Sequence, residues 1–296
     1  VKKSQRNWLI DFSLLAIIWG ASFMFIAVAG HAIPPVGVAF LRMILGAAAL
    51  FVLLKIQGLK LPTSFDAWKK TAIAGIFMSA IPFTLFAYGE LEISSGLAGM
   101  VNAATPVMTV AVIMIAFREQ APNRIQIIGL TVGIFGTLVL LGIWNGFGKN
   151  DPLGIMALIA ATLCYGFGSP YIRKYVSPLG LPNQVAVFMQ LITASALTLP
   201  FYLAGPLLTA TPDWTVIASI VTLGVLGTGF AYILYYRVID LAGTTIASSV
   251  TIVQPVVAVI LGMLFLAETI TWYELLGGAV IILGAVIAQG RVKFIR

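Results

Sequence analysis

Chemistry has few places to sit in this chain. Among 296 residues there are 10 Asp and Glu, one His and one Cys. The lone Cys164 excludes an intramolecular disulfide and any CxxC pair, and a single histidine leaves no zinc or haem set. No metal or cofactor is expected, and a membrane enzyme acting on lipids lacks an acid/base or nucleophile–base cluster. The carboxylates fall at the ends of long apolar runs. Asp11, Asp66, Glu119 and Asp240 lie at one set of ends; Glu90, Glu92, Asp151, Asp213, Glu268 and Glu274 lie at the other. None sits mid-run, so a deep proton-exchanging carboxylate is not foreseen, and Asp11 is left as a peripheral relay. Glu119 and Glu268 are expected to tie down helix ends. Arg42 is the exception among charged residues, because it lies eight residues into an apolar run, where an unpaired cation is costly. Two roles fit it: a bidentate grip on a solute carboxylate, or a structural pairing with helix carbonyls, Glu90 or Glu92. His31 reads as a solvated loop histidine.

Aromatic side chains form the larger set. Trp19, Phe23, Phe83, Phe86, Tyr165, Phe230, Tyr232 and Tyr235 fall deep within apolar runs. Buried Trp and Tyr need partners for their polar atoms away from water. Singly, each is as well explained by helix packing; as a group they suit the lining of a cavity for an amphipathic or aromatic solute. Trp8, Trp144, Trp214 and Trp272 fall at run ends and fit interfacial belts.

The elements that must position these residues are membrane helices. Hydrophobic residues make up 60% of the chain, charged residues 9%, and the mean hydropathy is +1.05. Soluble domains carry about 25% charged residues, so the fold class is an all-α polytopic membrane protein. Ten spans are expected, at 8–28, 34–54, 71–89, 93–117, 125–143, 153–172, 183–203, 215–236, 244–267 and 272–290. Lys2, Lys3 and Arg6 before the first run, with Ala27-Val28-Ala29 near its end, resemble a cleaved signal peptide. The run is long for one, and its Trp19-Gly20 has a counterpart in Tyr165-Gly166, so the first span is assigned to the mature protein. The net charge of +7 does not indicate nucleic acid, because the basic residues cluster between apolar runs. Of 17 Lys and Arg, Lys149 alone falls on one side and Arg42 inside a span; the rest share the other side, which places both termini in the cytoplasm.

An internal repeat divides the chain. Pro106 and Pro255 lie 149 positions apart, and the same shift carries Ala98, Val101, Val107, Glu119 and Gly129 onto Ala247, Val250, Val256, Glu268 and Gly278. Each copy is an apolar run with a central proline, which frees a carbonyl that protein or water must satisfy. Paired interrupted helices of this kind point to a transport site, with Pro106 and Pro255 as flexible or irregular points. Five spans per half, residues 1–146 and 147–296, make the second half enter the membrane from the opposite face. Glycines recur in the fifth span (Gly129, Gly133, Gly136) and the tenth (Gly277, Gly278, Gly284), which marks these two as scaffold or dimer helices.

On Trp19-Gly20, Arg42, Ala98 to Pro106 with Glu119, and Ala247 to Pro255 with Glu268, the whole chain resembles the EamA family of the drug/metabolite transporter superfamily. The resemblance implies a bacterial inner-membrane exporter with a cavity walled by spans one, three, four, six, eight and nine. Within the family the chain is most similar to the YddG type, which exports aromatic amino acids. By that resemblance Trp19, Asn102, Tyr165, Tyr232, Tyr235, Thr251 and Gln254 are cavity candidates beside Phe23, Arg42 and Phe83. Gln190 stands where the first half has Arg42, so a carboxylate grip would be one-sided. The expected function is alternating-access export of aromatic amino acids or related amphipathic solutes, with the lipid bilayer as surroundings. The alternatives are an exporter of drugs, quaternary amines or nucleosides, and a non-transporting scaffold or receptor.

Overall fold

The computed structural model describes residues 2–116, 124–140, 151–242, 247 and 250–288. Among the described residues seven helices are long and apolar enough to cross a membrane. In chain order these are α1 (Lys2–Gly30), α2 (Pro35–Ile56), α3 (Phe65–Gly89), α4 (Ser95–Ala116), α6 (Pro152–Leu179), α7 (Asn183–Leu203) and α8 (Trp214–Ala242). Three shorter apolar helices stand where the fifth, ninth and tenth spans are expected: α5 (Arg124–Leu140), α9 (Val250–Phe265) and α10 (Trp272–Ala288). Glu119, Trp144 and Lys149, named above, lie outside the described residues.

Capping chemistry sets several helix starts. Asp151 accepts from Gly154 N at 2.9 Å ahead of α6, and Asp213 from Val216 N at 2.9 Å ahead of α8. Glu274 accepts from Thr271 N at 2.7 Å at the start of α10, half of a capping box. Glu268 reaches further, as expected of a residue that ties down a helix end. Its two oxygens take Ser95 N at 2.7 Å and Gly96 N at 2.9 Å, so a carboxylate beyond α9 closes the positive end of α4. The chain is turned for this contact at Ala267, whose φ of 53° is left-handed; the Glu268 amide donates back to Gly262 O at 3.2 Å.

Helix contacts repeat between the two halves. α1 packs on α8 and α9, while α6 packs on α3 and α4; α2 packs on α7 and α8, while α7 packs on α2 and α3. Exchanging the first five helices for the last five maps each pair onto another. A π-type turn interrupts α3 at Ile76–Ala80, and another interrupts α8 at Val225–Phe230, at the spacing that relates Pro106 to Pro255. Each turn is held from the opposite half. Arg42 Nε donates to Thr228 Oγ1 at 3.0 Å, and Gln190 Nε2 donates to Ser79 Oγ at 3.0 Å. Glycine permits both approaches: a Cβ on Gly75 would stand 2.6 Å from the Gln190 carbonyl, and one on Gly224 3.2 Å from that of Arg42.

α5 and α10 form a pair of their own, in keeping with a scaffold role. A Cβ on Gly136 would lie 2.6 Å from Ile281 N, and one on Gly284 would lie 2.8 Å from Gly129 O. Gly278 faces Met100 Sδ of α4 instead, at 3.1 Å. Close backbone approach holds helices together where lipid removes the hydrophobic drive between them. Gly284→Leu is therefore expected to lower stability by about 1–3 kcal/mol through overpacking. Leu283→Ala, at an outward-facing position, should melt as the parent does. Thermal unfolding in detergent checks both.

Candidate functional site

The irregular backbone and the deep aromatics meet at one place. At Ala103–Ala104 the helical pattern of α4 breaks, immediately before Thr105-Pro106. Pro106 has no N–H for the carbonyl of Asn102. Thr105 Oγ1 takes over and donates to Asn102 O at 2.7 Å. Pro255 lies inside a continuous α9, so the two prolines act on the backbone differently.

Beside this break lies a cavity, partly open to solvent, whose empty space including the open part is about 630 Å³. Trp19 and Phe23 enter it from α1, Arg42 from α2, Phe83 from α3 and Asn102 from α4. Tyr165 enters from α6, Tyr232 and Tyr235 from α8, and Thr251 and Gln254 from α9. All ten residues singled out from the sequence thus face one cavity, while Pro106 and Pro255 stand behind its wall. Phe230 does not join them: it is 42% exposed on the outer surface, at the end of the π turn. Ser22, Met78, Thr105 and Ser169 line the cavity without having been singled out. Thr105 was detectable, since the repeat shift pairs it with Gln254; Ser169 lies one turn beyond Tyr165.

The aromatic wall has a defined geometry. Trp19 sits between Tyr232 and Tyr235, with ring centroids at 5.7 and 5.2 Å. Tyr165 stacks on Phe86 at 5.9 Å, and Phe86 meets Phe23 at 5.7 Å. Most polar ends of these rings are satisfied by protein. Trp19 Nε1 donates to Gly227 O at 3.0 Å, within the π turn of α8. The Tyr232 hydroxyl donates to Met78 O, within the π turn of α3. Tyr235 and Ser169 share a hydrogen bond of 2.9 Å, and Asn102 Nδ2 donates to Gln254 Oε1 at 2.6 Å, which joins α4 to α9 across the repeat. Gly20 and Gly166 let α1 and α6 approach α9 and α4: a Cβ there would lie 2.9 Å from Val257 Cγ1 and 2.9 Å from Met108 C.

Arg42 is 4% exposed, with its guanidinium carbon 3.7 Å from the centroid of Phe83. The expected pairing with Glu90 or Glu92 is not made, and among the described residues no carboxylate reaches Arg42. Asp11 pairs with Arg237 at 3.1 Å and tethers α1 to α8, which is a structural role. Glu90, just beyond α3, is buried with neither carboxylate oxygen hydrogen-bonded. Burial, and then the charge of Glu268, hold its carboxyl well above the usual range, against the pull of Arg42.

The fold and cavity define a class: a polytopic helical membrane protein built around one internal chamber. The family follows from comparison, and the chain belongs to the EamA-like transporter family, whose model matches residues 7–142 and again 152–289. A transporter of Archaeoglobus fulgidus is 25% identical over 95% of this chain and 97% of its own length. The "Uncharacterized inner membrane transporter YedA" of Escherichia coli is 26% identical over 92% of this chain and 87% of its own. The "Probable amino-acid metabolite efflux pump" of the same species is 27% identical over 92% and 91%. A solved crystal structure matches with a TM-score of 0.68 over 96% of each chain at 18% identity, which shows the shared fold.

A carboxyl whose folded value is raised contributes stability below its unfolded value, lost as pH rises through the folded one. Glu90→Gln is therefore expected to raise the detergent melting temperature over the parent near about pH 8, with the gap closing near about pH 4. An equal gap at both would contradict the burial of a carboxyl at this position.

Proposed function

We propose that this protein is an alternating-access exporter of the bacterial inner membrane, with both termini in the cytoplasm. Its substrates are aromatic amino acids and related small amphipathic solutes, as in the YddG type. Ten spans form two oppositely inserted units, residues 1–146 and 147–296, that exchange roles as the cavity opens to one face and then the other. The observation that carries this reading is the convergence of side chains from both halves on one aromatic-walled cavity. The exchange symmetry of the helix contacts supports the repeat, as do the paired π turns, each latched by a side chain of the other half. Basic residues gathered on one side support the orientation. The names of the relatives support export and an inner-membrane setting.

In this scheme Trp19, Phe23, Phe83, Tyr232 and Tyr235 receive the apolar part of the solute. Asn102, Thr251 and Gln254 line the wall beside the break that precedes Pro106, while Pro255 sits within unbroken helix in α9. Among the described residues the lining carries a cation and no carboxylate, which counts against quaternary amines and lipophilic cations as main substrates.

Counterflow of labelled tryptophan and phenylalanine in proteoliposomes tests the proposal. Flux by the purified chain alone separates a carrier from a scaffold or receptor. Trp19→Ala and Tyr165→Ala are expected to lower the initial rate about tenfold or more while eluting as folded monodisperse protein. Parental flux in both variants would remove the cavity from the transport path.

A further inference from the structure

Which part of a solute the cavity recognises follows from its unpartnered polar groups. Trp19, Tyr232, Tyr235 and Ser169 have their polar atoms engaged by protein. Ser22 donates to Ile18 O at 2.9 Å and Thr105 to Asn102 O at 2.7 Å. Arg42 uses only Nε, toward Thr228, and lays its face on Phe83, so its two terminal amino groups have no partner among the described residues. The Tyr165 hydroxyl likewise has no hydrogen-bond partner among them. Both groups line the same cavity, and the rings on which they rest, Phe83 under Arg42 and Phe86 against Tyr165, are one helical turn apart on α3. Each also lies within electrostatic reach of the other.

We propose that the Arg42 terminal amino groups and the Tyr165 hydroxyl form a cradle for a carboxylate, and that the cavity selects amphipathic organic acids by this group alone. A guanidinium edge presents two parallel N–H donors matched to two carboxylate oxygens, and a phenol adds a third donor. An α-ammonium has no counterpart. Among the described residues no Asp or Glu lines the cavity, and an ammonium next to a carboxylate held by Arg42 is repelled by the guanidinium. Deaminated aromatic acids are therefore substrates on equal terms with the amino acids, and the corresponding amines are not.

This inference rests on the cavity being the transport site, and the test separates the two. Efflux of labelled phenylalanine from proteoliposomes is competed with hydrocinnamate, which has the carboxylate only, and with phenethylamine, which has the amine only. Hydrocinnamate should compete within about threefold of unlabelled phenylalanine, and phenethylamine at least about tenfold more weakly. Tyr165→Phe, which keeps the stacked ring, should weaken competition by both carboxylates about three- to tenfold. Arg42→Lys should weaken it more, because an ammonium cannot grip two oxygens in a plane. Competition by the uncharged amide hydrocinnamamide should fall less in both variants than that of the carboxylates, because it loses no ion pair; an equal fall would mark a general defect of the cavity and overturn the cradle. Saturable phenylalanine efflux that hydrocinnamate fails to compete, or that phenethylamine competes equally, overturns the cradle and leaves the exporter reading intact. Absence of any saturable efflux overturns both.

Discussion

Inside a bilayer every backbone polar group must find its partner within the protein or in a water-filled cavity, and each failure costs several kcal/mol. That constraint organises this molecule. The carbonyl freed by Pro106 is taken by Thr105, and Thr228 Oγ1 donates to Leu223 O within the π turn of α8. The same hydroxyl accepts from Arg42, while Tyr232 and Trp19 donate into the π turns of α3 and α8. In the π turns of α3 and α8 side chains from the other half thus complete irregular backbone, and Trp19, Arg42 and Tyr232 among them also line the cavity. A break in a lipid-facing stretch would have no such remedy.

Because the remedies cross between halves, the two units are held by specific polar bridges on top of glycine-mediated contacts. Asn102–Gln254, Arg42–Thr228 and Gln190–Ser79 are individually modest hydrogen bonds that can be exchanged without dismantling a helix. The pair α5 and α10 is different: its backbones meet directly at glycines, which suits a fixed frame. Similar halves with unlike bridging residues also make the cavity electrically lopsided. Arg42 has its equivalent in Gln190, and Gln190 is engaged by both Ser79 and Tyr236.

Much of this was legible in the sequence, for identifiable reasons. Prolines and glutamates are rare in apolar runs, so Pro106 with Pro255 and the lone Glu268 stood out. Glu268 does cap a helix, though one in the other half. Deep Trp and Tyr were readable as lining because their polar ends need partners. The π turns were not legible, since no residue type encodes them, and they shift the register that follows. Phe230 ends such a turn and faces outward, whereas Tyr232 and Tyr235 face in. Small hydroxyl residues such as Ser22 and Ser169 were missed because serine is common at helix contacts as well. Pairing of Arg42 with Glu90 looked sound by proximity along the helices, yet the Arg42 face is occupied by Phe83 and Glu90 is left unpartnered.

The proposed export requires a water-accessible chamber between the halves that opens in turn to each face of the membrane. Cys164 is the one native cysteine, so a Cys164→Ser background carrying Thr105→Cys places a single thiol on the chamber wall. Labelling that thiol with a membrane-impermeant maleimide, applied to right-side-out and then to inverted vesicles, tests the claim directly. The account predicts labelling from both faces, slowed by saturating substrate. Labelling from one face only, or from neither, would contradict it.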